Sequence, residues 1–383
     1  MIIFINLVDF SKISGGSNHQ TEILKYFSNK YIFKVLTLKF KSNRKLPEFM
    51  KNKLIKFPYS YFFPISLVSI LQTAYLIFLK FKKYKVIYTR VNSLSFFLVL
   101  TARMLGYYVI SEHNTITGIE RRSEAKFSSK IFRVWEEFNQ ILVAKLSTKN
   151  RCVTEEIKNY LIGKKVDSNK LFTLKNGSVL LNTRSIVPKI PKLIFKKNTN
   201  YIGYLGSIPH YEDFDPIIKS FKYHKKTQNN LKFVFIGNSN NLINIKKEIR
   251  KQNVESYFIF LQTVPLEEVS YYVKQFSICV APFKKKKITE VGSSSMKIRD
   301  YCACGSAILS SKNSESIELE KKGILKIFRS SKPNEIMQDF QSIINNKNMI
   351  KKLKQNSITY SKSNFVWSKI LSILENNIKQ YLT

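Results

Sequence analysis

The sequence predicts an α/β protein of two doubly wound domains, and three observations lead to this prediction. Short apolar segments alternate with longer segments of helical periodicity, as in parallel sheets that are covered by helices on both faces. The pattern restarts after a stretch rich in Lys, Pro and Asn at 183–199. The chain also has 383 residues, which is more than one ordinary hydrophobic core holds. We therefore expect domains at 1–182 and 200–356, a linker at 183–199 and a C-terminal helical segment at 357–383.

In the first domain, apolar runs of strand length alternate with helical patterns. The predicted strands lie at 2–8, 32–38, 86–89, 107–112, 151–153 and 171–174. The predicted helices lie at 18–28, 94–105, 129–146 and 155–161. Segment 57–79 carries no charge, but Pro64 and several polar residues interrupt it, which favours a buried or membrane-surface helix over a membrane-spanning one.

The same alternation fills the second domain. Its predicted strands lie at 201–205, 231–236, 258–261, 278–281, 307–309 and 325–328. Its predicted helices lie at 214–226, 242–251, 266–275 and 296–303, and an amphipathic segment follows at 364–382. Ligands of doubly wound sheets bind beside the carboxyl ends of the strands, so the motifs at those ends are the candidate functional residues.

The formal net charge of +38 indicates an anionic partner: nucleic acid, an anionic membrane or phosphorylated small molecules. The lysines are scattered, and no zinc or RNA-binding signature accompanies them, so no nucleic-acid partner is expected. Segment 31–61 mixes Lys and Arg with Phe and Tyr, a composition typical of membrane interfaces. We therefore expect peripheral attachment to an anionic membrane surface.

The cysteines and the N-terminus favour a reducing, cytoplasmic location. No Cys-x-x-Cys pair occurs among the four cysteines, which are Cys152, Cys279, Cys302 and Cys304. Most of them lie in apolar surroundings, as small buried side chains do. The first residues lack the basic region and cleavage site of a signal peptide. Together with the membrane prediction, this places the protein on the inner face of the cytoplasmic membrane.

The segment 289–311 contains the most informative motif. A loop with Ser294 and Ser295 leads into a helix that carries Lys297 and Asp300. Helix N-termini attract anions, so this loop is suited to phosphate, with Lys297 as an added charge. Asp300 lies one turn further on the same face, where it can accept hydrogen bonds from a ribose. The alternative is an ordinary capped helix with a solvated lysine.

Two motifs in the first domain also follow strands. Gly15 and Gly16 precede a helix beginning near Asn18, which lets the backbone approach a ligand closely. This is no G-x-G-x-x-G fingerprint, so a nicotinamide or flavin cofactor is not expected, and a simple flexible turn is the alternative. Glu112-His113-Asn114 ends another strand, where His113 can donate to a substrate hydroxyl unless it is a structural histidine.

In the second domain, Gly206 and Ser207 follow the first strand. Asp213 and Asp215 nearby could hold a divalent metal, but Asp215 before Pro216 is better explained as a helix N-cap, so no metal site is expected. Four adjacent lysines at 284–287 follow another strand and suggest an anionic counter-charge, with a solvated loop as the alternative.

The order of these motifs resembles the GT-B glycosyltransferases of family 4, the group 1 retaining transferases, over nearly the whole chain. The matching pieces are Gly15-Gly16, Glu112-His113, the segments LKNG at 174–177 and YLGS at 204–207, Pro282-Phe283, the segment 295–305 and the Trp367 helix. The resemblance implies two Rossmann-like domains facing across a cleft, the first on the acceptor side and the second binding the nucleotide sugar. It also implies that the C-terminal helix crosses back to the first domain.

The resemblance implies an activity as well. It is transfer of a sugar from a UDP-sugar or GDP-sugar to a glycan or polyprenyl-diphosphate-linked acceptor of surface polysaccharide, with retention, without a cofactor and without an obligatory metal. His113 and Lys297 would be catalytic, contacting the donor sugar and the leaving diphosphate. Donor binding would fall to Gly15, Gly16, Gly206, Ser207, Ser294, Ser295, Lys297 and Asp300. The acceptor side would include Asn18, His19, Glu112 and Asn114.

The chain departs from the family pattern at the diphosphate. Many members carry an Arg just after the position of Gly206 and a Lys a few residues on, where this chain has Ser207 and Glu212. Of the family's paired acids only Asp300 remains, because Gly292 fills the first position. A subgroup with a Ser-rich or Pro-rich loop before its Lys lacks the same groups, and this chain resembles that subgroup most.

Three alternatives stay open from sequence. A nucleotide-sugar epimerase shares the fold but would be expected to carry more carboxylates than this chain offers. A catalytically inactive GT-B scaffold is consistent with the missing Arg and acid. A nucleic-acid or polyanion-binding protein is consistent with the net charge of +38 alone.

Overall fold

The computed structural model describes residues 1–8, 10, 15–38, 46–57, 65–79, 84–117, 128–209, 211–224, 230–239, 241–284 and 294–382. The chain forms two compact units. The first unit contains Met1–Asn176, Glu290–Ser294 and Trp367–Thr383, and the second contains Gly177–Thr289 and Ser295–Val366. The first division therefore falls between Asn176 and Gly177, before the expected boundary at 182.

A parallel sheet of seven strands forms the centre of the first unit. Its strands are β1 (Ile2–Ile5), β2 (Phe33–Leu38), β3 (Leu54–Phe57), β4 (Val86–Arg90), β5 (Tyr108–His113), β6 (Lys149–Cys152) and β7 (Leu171–Thr173). They lie in the order β3-β2-β1-β4-β5-β6-β7. Strand β3 was not predicted, because this short edge strand is only partly buried and therefore lacks a continuous apolar run.

Helices cover both faces of this sheet. They are α1 (Gly15–Ser28), α2 (Ile65–Leu79), α3 (Ser95–Met104), α4 (Ser128–Leu146) and α5 (Glu155–Gly163). One face is packed by α2, α3 and α4, and α1 packs on the other through Ile23, Leu24 and Phe27. Helix α1 begins at Gly15 rather than near residue 18, so Gly15 and Gly16 form its first turn and not the preceding loop.

The second unit has a parallel sheet of six strands. They are β8 (Thr199–Leu205), β9 (Asn230–Ile236), β10 (Phe258–Leu261), β11 (Ile278–Ala281), β12 (Ile308–Ser310) and β13 (Lys326–Ile327), in the order β10-β9-β8-β11-β12-β13. Its helices are α6 (Asp215–Ser220), α7 (Leu242–Lys251), α8 (Val269–Gln275), α9 (Met296–Ala303), α10 (Ser314–Lys321), α11 (Pro333–Ile344) and α12 (Lys347–Asn364). Helices α10 to α12 were not predicted. The buried positions of α12 include Ser357 and Ser361, so it shows little apolar periodicity.

The last helix, α13 (Trp367–Ile378), belongs to the first unit. It buries Trp367, Leu371, Leu374 and Ile378 in the same cluster as α1 and β1. Its Glu375 accepts hydrogen bonds from side chains of the first unit at Tyr26, Tyr31 and Lys30. The C-terminal helix thus completes the apolar layer on one face of the first sheet.

None of the helices in the described parts of the chain has the length and apolar content to cross a membrane. The uncharged segment 57–79 contains α2, in which Val68 and Leu76 are buried while Ile77 and Phe78 are exposed. The four cysteines are free and buried, and burial raises the pKa of Cys152, Cys279 and Cys304 to about 12.

Candidate active site

A buried polar cluster lies at the carboxyl end of β5 in the first unit. The Glu112 carboxylate receives hydrogen bonds from Arg151 Nη1 at 2.9 Å, from the Tyr88 hydroxyl and from Asn114. His19 Nε2, from the beginning of α1, lies 3.2 Å from the same carboxylate. The expected acceptor-side residues His19, Glu112 and Asn114 are therefore together, whereas Asn18 is half-buried on α1.

The charges in this cluster are balanced by a residue that sequence reasoning missed. Burial raises the pKa of Glu112, but His19 and Arg151 outweigh it and hold that pKa well below its usual value. Burial also lowers the pKa of His19, although Glu112 opposes this shift, and Arg151 is the permanent counter-charge of the carboxylate. The signal in the sequence was Arg151 at the start of the predicted strand 151–153, where a charge beside Cys152 and Val153 requires a buried partner.

His113 lies in the protein interior, not at an open strand end as expected. Its ring is 1% exposed, with Nε2 3.0 Å from Asn150 Oδ1 and Nδ1 3.3 Å from Gln140 Nε2. Desolvation lowers its pKa to about 4, so the ring is neutral near pH 7. The hydrogen-bond network assigns a donating Nε2–H to Asn150 and an accepting Nδ1 to Gln140, so both nitrogens have protein partners.

In the second unit, two glycines allow the ends of β8 and β9 to approach each other. Gly206 has φ +107° and its N–H donates to the Ile236 carbonyl. Gly237 has φ +142°, and a Cβ there would lie 2.5 Å from the Gly206 carbonyl oxygen. A Cβ on Gly206 would meet Lys297 Cε at 3.3 Å, so only glycine leaves the lysine stem free to lie there.

Lys297 projects from the first turn of α9 into a group of residues around Gly206. Its Nζ is 3.0 Å from Glu212 Oε1, 3.2 Å from the Ser207 carbonyl oxygen and 5.1 Å from the centroid of the Tyr204 ring. The lysine side chain is 19% exposed, whereas that of Glu212 is fully buried. The structure thus brings together Gly206, Ser207 and Lys297, and adds Glu212 as a direct partner of the lysine.

Two of the remaining donor-side residues, Asp300 and Ser294, form hydrogen bonds within the protein. Ser178 Oγ donates to Asp300 Oδ1 at 2.6 Å, and desolvation raises the pKa of Asp300 to about 6. Ser295 occupies the N-cap position of α9 without a side-chain cap bond. Ser294 belongs to the first unit, where its Oγ accepts a hydrogen bond from the Asn176 N–H at 3.0 Å.

The two aspartates weighed as metal ligands lie at the start of α6 and just before it. Asp215 is the first residue of α6, one position later than the N-cap expected for it, and pairs with Lys219 at 3.1 Å. Among the residues that the structure describes, no group of three His, Cys, Asp or Glu side chains is arranged to hold a metal. Of the lysines at 284–287, only Lys284 lies within the described residues.

The sequence of residues 188–360 matches the family of glycosyl transferases group 1. The predicted resemblance to the group 1 glycosyltransferases is confirmed. The matched range contains Gly206, Glu212, Lys297 and Asp300, so the second-unit cluster lies within the matched residues. No curated protein matches the chain in sequence. The narrower assignment to family 4 stays a prediction.

Solved structures show the fold. A sucrose-phosphate synthase from Thermosynechococcus elongatus is 11% identical, with a TM-score of 0.77 over 99% of this chain and 98% of the other. HepE from Anabaena, solved with UDP and glucose, is 11% identical with a TM-score of 0.76 over 99% of both chains. WaaG, a glycosyltransferase involved in lipopolysaccharide biosynthesis, is 12% identical with a TM-score of 0.73 over 98% of this chain and 99% of the other. The predicted GT-B fold is confirmed.

Proposed function

We propose that this protein is a retaining glycosyltransferase that moves a sugar from a UDP-sugar or GDP-sugar to a glycan or polyprenyl-diphosphate-linked acceptor of a surface polysaccharide. The observation that carries the proposal is Lys297, placed beside Gly206 on the first turn of α9. The match to group 1 glycosyl transferases and the UDP and UDP-glucose complexes of HepE support a nucleotide-sugar donor.

The residues of the second unit fit the chemistry of a leaving diphosphate. Cleavage of the glycosyl–phosphate bond builds negative charge on the leaving group, and fixed donors with a cation stabilise that charge. The N–H groups at the start of α9 and the Lys297 ammonium would supply both, without a metal or a cofactor. Asp300 would accept a hydrogen bond from a ribose hydroxyl, sharing its carboxylate with Ser178.

In the first unit, we propose a positioning role for His113 instead of proton transfer. Its neutral ring joins β5 to Asn150 and Gln140, which fixes the main chain at the carboxyl end of that strand. A lowered pKa of about 4 makes this ring a poor proton donor at neutral pH. In the acceptor-side cluster, the partly exposed Asn114 would contact the acceptor, while the buried His19 and Glu112 would hold it in place.

Calorimetric titration with UDP, GDP and other nucleoside diphosphates, each with and without Mg²⁺, tests the proposal. We expect micromolar binding of one diphosphate that does not depend on metal. Lys297→Ala should weaken it about tenfold or more, because a charge-assisted hydrogen bond contributes about 1.5–3 kcal/mol. Lys351→Ala is the matched control, since that lysine is exposed on α12.

The outcomes separate the open alternatives. Diphosphate binding without any sugar transfer in an acceptor screen would favour the inactive scaffold, and release of nucleotide without an acceptor would favour an epimerase. Absence of diphosphate binding, together with salt-sensitive binding to RNA or heparin, would favour the polyanion-binding protein. Thermal unfolding of each variant shows whether a lost activity reflects a lost fold.

We further propose that the first unit docks on an anionic membrane through α4. The first half of this helix carries apolar side chains on the outside: Ile131 is 76% and Val134 is 69% exposed, and Phe138 follows on the same face. On its inner side, Asn139 and Gln140 bond to main-chain groups of neighbouring segments, and Val143 is buried in the apolar core. An outward apolar face is characteristic of a surface that contacts lipid or a partner.

The neighbouring elements extend this face and add positive charge. Helix α3 packs against α4 on one side and α2 on the other, and α2 packs on β3. The exposed apolar residues of α2 and α3 are Ile70, Leu71, Ile77, Phe78, Phe97 and Met104. Lys145 lies exposed two turns beyond Phe138, and Lys51 and Lys56 are exposed at β3. Apolar groups bordered by lysines match the chemistry of an anionic bilayer.

Vesicle co-sedimentation tests the membrane surface. Binding to phosphatidylglycerol-containing vesicles should exceed binding to phosphatidylcholine vesicles and should weaken with salt. The combined substitution Ile131→Ser, Val134→Ser and Phe138→Ser should reduce binding at least tenfold, because each buried apolar side chain contributes on the order of 1.5–3 kcal/mol. The matched control replaces the exposed residues Ile186, Val187 and Ile190 with Ser. Concentration-dependent dimerisation without vesicle binding would contradict the membrane proposal.

A further inference from the structure

The most unusual feature of the second-unit cluster is a buried carboxylate beside the lysine. Glu212 Oε1 lies 3.0 Å from Lys297 Nζ, and the other carboxylate oxygen of Glu212 accepts a hydrogen bond from the Tyr204 hydroxyl. Burial raises the pKa of Tyr204, so this hydroxyl keeps its proton and acts as the donor. The resemblance to group 1 transferases predicts a cation near this position, so the carboxylate reverses the expected sign of charge.

Glu212 is held firmly in this position. Its side chain is fully buried, and its residue forms an antiparallel bridge with Phe283. The chain on each side is also fixed, because the Asp213 N–H donates to the Pro282 carbonyl and the Lys284 N–H donates to the Tyr211 carbonyl. Burial, the fixed main chain and the Tyr204 hydroxyl together favour a position of the carboxylate next to Lys297.

The pair leaves the ammonium group nearly neutralised. Among the described residues, Lys297 Nζ donates a hydrogen bond to the Ser207 carbonyl oxygen and forms an ion pair with Glu212. The positive charge that a ligand would meet is therefore offset by the carboxylate. A diphosphate bound there would gain a hydrogen bond but would also lie close to a fixed negative charge.

We propose that Glu212 is a built-in counter-charge of the diphosphate site, which positions Lys297 over Gly206 and limits the affinity for the nucleoside diphosphate. The inference rests on the proposed glycosyltransferase function and adds a regulation of the same site. The carboxylate orients the ammonium toward the position where charge develops, and its repulsion favours release of the diphosphate after transfer. The lysine would therefore stabilise the leaving group without retaining the product.

Calorimetry of wild type and Glu212→Gln with UDP, GDP and inorganic pyrophosphate tests this inference. Gln keeps the size of the side chain and can accept the Tyr204 hydrogen bond, but it removes the charge. We expect Glu212→Gln to bind the cognate nucleoside diphosphate and pyrophosphate about tenfold more tightly. Its affinity should also fall more steeply with salt than that of wild type, because the site gains one net positive charge.

Glu318→Gln is the matched control, because Glu318 pairs with Lys322 on the surface of α10 and the substitution makes the same change in total charge. It should leave both affinity and salt dependence unchanged. Unfolding curves are needed for all variants, since loss of Glu212 removes a buried partner of Lys297. The salt dependence is the decisive measurement, because a purely structural role of Glu212 would not steepen it.

The outcomes distinguish failure of this inference from failure of the proposed function. If wild type binds a nucleoside diphosphate and folded Glu212→Gln binds it equally or less tightly, Glu212 is not a counter-charge, and the transferase proposal stands. If wild type binds no nucleoside diphosphate but Glu212→Gln gains binding of pyrophosphate, the counter-charge is supported and the transferase proposal fails. If neither protein binds any of these anions, both proposals are wrong.

Discussion

At the scale of single residues, buried carboxylates organise both clusters. The chain has 64 Lys and Arg residues against 26 Asp and Glu residues. Glu112 with Arg151 and Glu315 with Arg299 are fully or nearly fully buried, and Glu212 is buried beside the partly exposed Lys297. Removal of one partner from such a pair leaves an uncompensated charge, which typically costs about 3–5 kcal/mol when the pair is fully buried. In this strongly basic protein, the buried acids therefore hold the side chains around them in place.

The carboxyl group of Asp300 predicts a specific pH dependence of stability. Its pKa is about 6 in the folded protein, against about 4 in an unfolded chain. Between these values the folded state binds a proton that the unfolded state has released, so the free energy of unfolding falls as pH rises from about 4 to about 6. Asp300→Asn removes this contribution. Urea unfolding at pH 4, 5, 6 and 7 should show the variant gaining stability relative to wild type across this range.

Asp215→Asn serves as the control for that experiment, because Asp215 is an exposed carboxylate at the start of α6. A constant difference between wild type and Asp300→Asn over the same range would show that burial does not raise the Asp300 pKa.

At the scale of elements, two helices carry the features that most affect function. The first half of helix α4 exposes Ile131, Val134 and Phe138, although its second half buries Val143 as an ordinary surface helix does. Helix α13 shows the usual arrangement, with Leu371 and Leu374 fully buried and Ile373 half exposed. The contrast supports the proposal that α4 contacts the apolar part of a membrane, whereas α13 stabilises the fold of the first unit.

We expect Leu371→Ala in α13 to reduce the free energy of unfolding by about 2–5 kcal/mol, because it removes a fully buried side chain and leaves a cavity. Ile373→Ala on the same helix should cost much less, about 0.5 kcal/mol or below, since that side chain is 50% exposed. Urea unfolding followed by circular dichroism measures both. Equal effects of the two substitutions would show that α13 does not pack on the first unit as described.

At the scale of the whole molecule, the two units have separate sheets and separate apolar cores. Each unit also contains buried thiols: Cys152 lies in the first, and Cys279, Cys302 and Cys304 lie in the second. The positive charge is spread over the chain instead of forming one block. Attraction to anions is therefore not confined to one charged segment, while the proposed nucleotide binding belongs to the second-unit cluster.

The thiols predict how the native protein reacts with a thiol reagent. Burial raises the pKa of each cysteine, which leaves little thiolate near pH 8, and access is blocked by packing. Dithionitrobenzoate should therefore react with none of the four thiols within minutes in buffer and with all four in guanidinium chloride. Mass spectrometry at intermediate denaturant shows which unit opens first. Rapid labelling of the native protein would contradict the described burial.

The sequence by itself determined the fold class, most strands and helices, and the region of the candidate site. These follow from local patterns: apolar runs, helical periodicity, and Gly and Ser at strand ends. The edge strand β3 and the helix α12 escaped prediction because their apolar patterns are weak, whereas α11, which buries Ile336, Phe340 and Ile343, was predictable from its periodicity. Only the tertiary structure decided which side chains meet: Glu212 with Lys297, and Glu112 with Arg151. These partners are far apart in the chain, and only sheet pairing and burial bring their charges together, so no local pattern specifies them.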